Sequence, residues 1–330
     1  MKTNRLSTSK KDIEKAAELI KKGKLVAFPT ETVYGLGADA LNEKAVKSVY
    51  EAKGRPQDNP MIVHISDASQ LPALIKDGKD GIGQDAIKLM EAFWPGPLTM
   101  IFKKSSAVPD ATTGGLDTVA IRMPSSQAAL KMIDLAGTPV AAPSANLSGK
   151  PSPTNAEDVL EDMDGKISAI IMGEESYVGI ESTVVDLTGK KPVILRPGLI
   201  TAEWMSNIIG KNVSYDKHLV KADEKPKSPG MKYQHYSPKA QVRLISGDDE
   251  AFQKQAIKLA AEAKLENKKA AILNYGEDSK KAAHKLFADL RELDRLNYDL
   301  ILIHALGEEG FGFSVMNRML KSAGYDIVKE

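Results

Sequence analysis

Apolar residues recur at helical spacing between residues 10 and 23, where Ile13, Ala16, Ala17, Leu19 and Ile20 lie on one side and Gly23 supplies a stop. A short unbroken apolar run, Leu25 to Phe28, follows and is closed by Pro29, which predicts a buried strand leading into a polar, glycine-bearing loop. Further strands are predicted at 61–65 (MIVHI), 98–102 (LTMIF), 118–122 (TVAIR), 139–142 (PVAA), 168–172 (SAIIM), 183–187 (TVVDL) and 192–195 (PVIL). Helical spacing returns near 42–53, 83–93, 125–136 and 155–163. Because these helices do not alternate strictly with the strands, the pattern predicts an open mixed sheet with helices, α/β with α+β character, rather than a regular doubly wound sheet.

From 201 to about 239 the periodicity weakens, and KADEKPKSPGMKYQHYSPKA concentrates Pro, Gly, Ser and Lys as a linker does. Beyond it, strands predicted at 241–246, 269–274 and 299–303 alternate with helices at 249–265, 278–290 and 312–322, a small parallel βαβαβ layer of Rossmann-like type. With 330 residues the chain exceeds the usual span of one core. The expected organisation is a first domain over 1–205, a linker over 206–240 and a small α/β domain over 241–330. That last domain has no G-x-G-x-x-G after a strand and no P-loop, so its default role is structural or regulatory.

Composition narrows the partners more than the fold. Lys and Arg number 45 against 44 Asp and Glu, a net charge of +1, so no global field selects nucleic acid and any basic site must be local. The absence of cysteine excludes disulfides, thiolate metal sites and cysteine nucleophiles, and fits a reducing compartment. The first residues lack an apolar signal region and no run approaches the ~20 apolar residues of a membrane span. A soluble, cytoplasmic protein without a membrane partner is expected.

The groups able to do chemistry cluster at predicted strand ends. Thr30, Glu31, Thr32 and Tyr34 follow the strand at 25–28, an arrangement that suits either a capped turn or the rim of a ligand crevice. Lys53 and Arg55 stand two apart in KGRPQDNP, a solvated loop or a grip for polyphosphate. His64 alternates with apolar neighbours and has no HxxH or HExxH partner, so zinc is not expected. Its imidazole either satisfies a structural bond or meets a substrate amine or carboxylate. In TVAIR, Thr118, Ala120 and Arg122 share one strand face; an arginine there needs an anion, either an internal carboxylate or a substrate carboxylate. The segment PSANLSGKPSPT is rich in hydroxyls and turn formers and suits phosphate oxygens or a long surface loop, and GIEST and RPG repeat the theme. No Ser/His/Asp order or paired-carboxylate motif stands out, so the inventory favours positioning and electrostatics over covalent catalysis.

Taken together, FPTETVYGLGADA, KGRPQDNPMIVHI, FWPGPLTMIF, TVAIRMP, PVAAPSANLSGKPSPT, GIESTVVDLT, ILRPG and SPGMKYQHYSP span nearly all of residues 10–240. In this order the chain resembles the threonylcarbamoyl-AMP synthase family in its long form, a YrdC-like catalytic domain with a concave cleft, a linker and a smaller C-terminal domain. The ending FGFSVMNRMLKSAG is similar to that C-terminal module. The resemblance implies a nucleotidyltransferase that makes threonylcarbamoyl-AMP and pyrophosphate from L-threonine, bicarbonate or CO2 and ATP, with Mg2+ accompanying ATP. The product would pass to tRNA threonylcarbamoyl-transfer proteins for N6-threonylcarbamoyladenosine in tRNAs reading ANN codons; direct RNA contact by this chain is left open.

By the same resemblance, Thr32, His64, Arg122, Ala142 through its backbone, and Ser182 surround threonine. Arg55, Asn59, Thr118, Ser144, Asn146, Ser152, Arg196 and Tyr236 contact ATP or its adenylate. Lys53, Arg55 and Arg122 are the expected catalytic groups, and the ligands of the metal are unassigned. Gln234 stands where many relatives are expected to carry Arg. The linker bearing Tyr236 is expected to close over the cleft. Two other readings stay open on the residues alone: an RNA- or ribosome-binding module, and a carbamoyltransferase working from carbamoyl phosphate.

Overall fold

The computed structural model describes residues 2–220 and 236–328. The first unit is built on eleven strands: β1 (Asn4–Leu6), β2 (Val26–Phe28), β3 (Gly35–Asp39), β4 (Ile62–His64), β5 (Leu98–Lys103), β6 (Thr118–Arg122), β7 (Val140–Ala142), β8 (Ala169–Ile171), β9 (Thr183–Asp186), β10 (Val193–Arg196) and β11 (Ser214–Tyr215). Their lateral order is β1-β8-β2-β3-β7-β4-β6-β5-β9-β10-β11. Parallel pairs such as β4–β6 and β5–β9 mix with antiparallel pairs such as β2–β3 and β5–β6, which is the mixed sheet that the non-alternating pattern predicts.

Helix α1 (Lys10–Lys21) buries Ile13, Ala16, Ala17 and Ile20, and its first turn is capped by Ser9, whose side chain accepts from the Asp12 backbone. It packs with α6 (Gln127–Ala136) against one side of the sheet, in a core that includes Val26, Phe28, Val140 and Ile171. The opposite side carries α2 (Glu43–Lys53), α4 (Gln84–Phe93), α7 (Ala156–Met163) and α8 (Ala202–Ile209), with Val46, Val49, Leu89, Val159 and Met205 in a larger core. Short helices α3 (Leu71–Leu74), α5 (Asp110–Thr113) and α9 (Lys217–Val220) complete this unit.

The second unit alternates β12 (Gln241–Ile245), α10 (Asp249–Leu265), β13 (Ala270–Leu273), α11 (Ser279–Arg295), β14 (Leu300–His304), α12 (Phe311–Ser322) and β15 (Ile327–Val328). Its four strands pair in parallel in the order β13-β14-β12-β15.

Two features depart from the sequence pattern. Helix α8 runs through residue 205, where the boundary was expected; its Thr201 cap and buried Met205 and Ile209 form a helix too short to register as periodic. Next, β11 pairs in parallel with β10, so residues expected to be linker extend the large sheet. Residues 221–235, the centre of the expected lid and the site of Gln234, lie outside the described residues. Where the chain is described again, Tyr236 stacks on Phe287 of α11, centroids 5.0 Å apart, and the Ser237 amide donates to Gly149 O at 2.9 Å.

The units share a core as well as a surface. Val33, Val178 and Ile180 of the first unit pack with Ala282, Ala283, Leu286 and Phe287 of α11. Arg291 joins Asp162 at 2.7 Å, both buried, and Arg295 meets Asp158 at 2.7 Å.

Candidate active site

One cavity of about 500 Å³ opens where β3, β4, β6 and β7 meet the loops after β2, α2 and β7 and the ends of β9 and β10. Its walls include Thr32, Lys53, Arg55, Asn59, His64, Arg122, Ala142, Ser144, Asn146, Ser182, Arg196 and Tyr236. Of the fourteen residues expected at the site, these twelve are brought together although they span most of the first unit.

The other two are placed differently. Thr118 lies at the start of β6, on the face that carries Ala120 and Arg122 into the cavity, but short of the wall. Ser152 is buried behind the wall, its hydroxyl donating to Glu181 Oε1 at 2.6 Å. It therefore acts on the cavity through Glu181, which does line it.

The loop after β2 is set by its own hydroxyls. Thr30 Oγ1 donates to Val33 O at 2.6 Å and accepts from the Thr32 amide at 3.2 Å, a side-chain turn of the kind Thr favours at strand ends. This loop is laced to the loop after β7 by Tyr34 N to Pro153 O and Ala145 N to Tyr34 O, at 2.9 and 2.8 Å. Glu31 and Thr32 are thereby presented to Arg122, whose Nη1 donates to Thr32 Oγ1 at 2.9 Å and whose Nε donates to Gly96 O at 3.2 Å.

The anion beside Arg122 is Glu31. Their Nη2 and Oε1 lie 2.6 Å apart with both side chains buried, yet those two atoms are not aligned for a hydrogen bond, so the contact is chiefly charge on charge. An arginine has five N–H donors. Two are spent on Gly96 and Thr32, Nη2 is buried against Glu31, and the residue as a whole lines the cavity.

His64, the next strand over, is buried, with Nδ1 3.2 Å from Ile62 O and its ring edge-on to Phe28. Burial, reinforced by the Arg122 charge, brings its pKa down to about 3, so the imidazole stays neutral.

The opposite wall is cationic. Lys53, the last residue of α2, donates to the carbonyls of Ser144 and Asn146, and burial holds its pKa well below the usual lysine range. Lysine here thus pins the loop after β7 to α2. Ser144 Oγ in turn donates to Asn146 Oδ1, and Asn146 Nδ2 donates to the carbonyls of Leu147 and Lys150 at 2.8 Å. Arg55 donates to Pro60 O at 3.2 Å and holds the loop that carries Asn59.

On the third wall Arg196 reaches back to Ser182, Nε to the carbonyl and Nη2 to the hydroxyl, each at 3.0 Å, and Ser182 Oγ lies 2.8 Å from Thr99 Oγ1. Burial would raise the carboxyl of Glu181, but the guanidiniums of Arg318 and Arg196 outweigh it and hold it at about 2. Tyr236 stays a neutral phenol: burial, with the Glu181 charge beside it, pushes it up to about 12.

Four residues at the site are not among those expected from the sequence. Glu31 is read from sequence only as part of a capped turn or crevice rim and Glu181 only as part of GIEST, because their partners Arg122 and Arg318 are remote in the chain. Arg318 and Lys321 come from α12 of the second unit: Arg318 bonds Glu181 Oε2 at 3.0 Å, and Lys321 lines the cavity. One signal was present, since Arg318 stands among Val315, Met316 and Met319 on a buried apolar helix face, a position that demands a partner. Among the described residues no group of three or more His, Asp or Glu is placed to hold a metal ion, and no helix is long and apolar enough to cross a membrane.

Comparison with known proteins agrees with this architecture. A family model described as "Telomere recombination" matches residues 18–198, and one described as "Threonylcarbamoyl-AMP synthase, C-terminal domain" matches residues 200–324. The threonylcarbamoyl-AMP synthase of Pyrococcus abyssi is 48% identical over 95% of this chain and 94% of its own. That of Bacillus subtilis is 44% identical over 99% of this chain and 97% of its own. The crystal structure of P. abyssi Sua5 complexed with L-threonine superposes with a TM-score of 0.92 at 46% identity, covering 100% of both chains. A cavity walled by both units, and relatives matched along nearly their whole length, place the chain in the threonylcarbamoyl-AMP synthase family of nucleotidyltransferase enzymes.

Proposed function

We propose that the protein joins L-threonine, bicarbonate or CO2, and ATP into threonylcarbamoyl-AMP, releasing pyrophosphate. The observation that carries this reading is the division of one cavity into an Arg122, Thr32 and His64 wall suited to an amino acid and a Lys53, Arg55 and Arg196 surround suited to polyphosphate. A relative of near-identical fold is described as complexed with L-threonine, which supports that amino acid here.

In the proposed sequence the threonine amine, after losing a proton, attacks CO2 and forms the carbamate N–C bond. A carbamate oxygen then attacks the α-phosphorus, and the bond to the β-phosphate bridging oxygen breaks with pyrophosphate as leaving group. Arg122 pairs with the threonine carboxylate, while neutral His64 and the Thr32 hydroxyl bond the amino acid's polar groups. The Ala142 backbone and Ser182 complete that surround. Arg55, Asn59, Ser144, Asn146 and Arg196 receive the nucleotide, with Thr118 at the rim and Ser152 acting through Glu181.

Lys53 sets the loop carrying Ser144 and Asn146, and Tyr236 walls the nucleotide side. Both the carbamate and the mixed anhydride are water-sensitive, so a site walled on three sides is useful to the chemistry. Mg2+ enters as the counterion of ATP, since the described residues assemble no carboxylate or imidazole cluster for it and Mg2+ commonly relies on substrate phosphates. The product then serves tRNA threonylcarbamoyl-transfer proteins that make N6-threonylcarbamoyladenosine in tRNAs reading ANN codons, in the cytoplasm.

The test is pyrophosphate release with ATP, bicarbonate and each amino acid in turn. Threonine is expected to stimulate release far above serine or alanine. Equal release with all three, or release that requires carbamoyl phosphate instead, sinks the proposal.

A further inference from the structure

Helix α12 brings the C-terminal unit into the cavity wall. It is held in place from several directions: Ser314 Oγ donates to Gly198 O at 2.8 Å, Arg318 Nη1 donates to Pro197 O at 2.6 Å, and Val315, Met316 and Met319 are buried in the shared core. Arg318 itself is fully buried, and its Nη2 has no hydrogen-bond partner. Three residues on, and so on the same helix face, Lys321 lines the cavity and is only partly exposed.

Arg196 and Glu181 line the same cavity as Lys321, and Arg318 Nε donates to Glu181 Oε2 at 3.0 Å. The group therefore holds three cations and one carboxylate. Buried positive charge in excess of its partners is costly unless an anion compensates it. Threonine's carboxylate is already provided for by Arg122 on another wall, and a nucleobase carries no negative charge. Bicarbonate carries a single charge, so a polyphosphate is the substrate anion that matches an excess of two positive charges, and a lysine on a fixed helix meets it as a point charge.

We propose that Lys321, from the C-terminal unit, is a phosphate-binding residue of the adenylate-forming site. The proposal rests on the reading of the cavity as an ATP site and assigns the second unit a direct part in it. Burial, then the nearby Arg318 and Arg196, lowers the Lys321 pKa to about 8 despite Glu181, so its charge is incomplete before an anion arrives and is restored by one. Phosphate binding above about pH 8 is accordingly coupled to proton uptake at this ammonium.

The experiment is calorimetric titration of the full chain with inorganic pyrophosphate and, separately, with L-threonine, for the wild type, Lys321→Met and Lys321→Arg. Lys321→Met is expected to weaken pyrophosphate binding tenfold or more, and Lys321→Arg to restore most of it. Threonine affinity and the thermal midpoint are expected to stay unchanged in both. Wild-type pyrophosphate affinity in Lys321→Met, no pyrophosphate binding by the wild type, or an equal loss of threonine affinity overturns the inference. Failure of the wider functional reading shows separately, as pyrophosphate release by the wild type that does not depend on threonine.

Discussion

His64 and Arg122 face each other across adjacent strands, and the registry of β4 with β6 pairs them directly. Burial penalises protonation of the imidazole and the Arg122 cation beside it adds to that, which brings the His64 pKa down to about 3. Its NMR signals are expected to stay flat between pH 5 and 8; a titration midpoint above 6 would contradict the assigned neutral state. The linkage has a definite sign. The unfolded imidazole takes up a proton below about pH 6.5 that the folded one refuses, so this contribution to stability is complete above that pH and is lost as pH falls toward about 3.

Arg122→Ala leaves Glu31 buried without its cation and is expected to cost about 3–5 kcal/mol in denaturant unfolding. It should also weaken threonine binding more than ATP binding; loss of ATP binding alone refutes the role. Combining it with Glu31→Gln is expected to recover much of the stability but none of the threonine affinity. At this scale, strand alternation in TVAIR showed which way Arg122 points. It did not show that Glu31 waits there, because that pairing depends on the distant loop after β2 folding back across the sheet.

Strands flanked by turn formers and built of branched residues, such as β6 and β14, were legible from their pattern, whereas β3 was not. Its sequence GLGAD has weak strand propensity and reads as loop, yet it is buried between β2 and β7. The two glycines are what permit it. A Cβ on Gly37 would stand 2.7 Å from Val140 Cγ1 and 2.8 Å from Phe28 Cε1, closer than side-chain carbons approach. Gly37→Ala is therefore expected to overpack this face and lower stability by about 1–3 kcal/mol, measured by denaturant unfolding. A variant as stable as the wild type would show that Phe28 can move aside. Helix α8 escaped the pattern because it is only eight residues long: its apolar residues Trp204, Met205, Ile208 and Ile209 span little more than one turn, and only Met205 and Ile209 are buried.

Across the whole molecule the two units are joined through residues 178–181 as much as through the chain connection. Gly179 has φ +82°, and a Cβ there would lie 2.3 Å from Ala283 O and 2.5 Å from His284 Cα, so backbone packs on backbone at the junction. Gly179→Ala is expected to force the units apart locally, lowering the thermal midpoint and dividing a single calorimetric transition into two. Because Ile180 and Glu181 follow directly, pyrophosphate affinity should fall with it. A single transition at the wild-type temperature would show that the interface absorbs the methyl group. The role given to the second unit from sequence, structural or regulatory, lacked this element: α12 delivers Arg318 to Glu181 and Lys321 to the cavity.

Local chemistry in the sequence determined most of the elements, the mixed character of the first sheet, the parallel second sheet, and the motifs that gather at strand ends, because periodicity and turn chemistry act over a few residues. Those motifs in their order also pointed to the family. Tertiary structure alone decided which charges meet. Glu31 with Arg122, Glu181 with Arg318, and Lys321 in the cavity are pairings between remote segments, and they exist because buried charges must find partners wherever the packed sheet and the docked second unit bring them within reach.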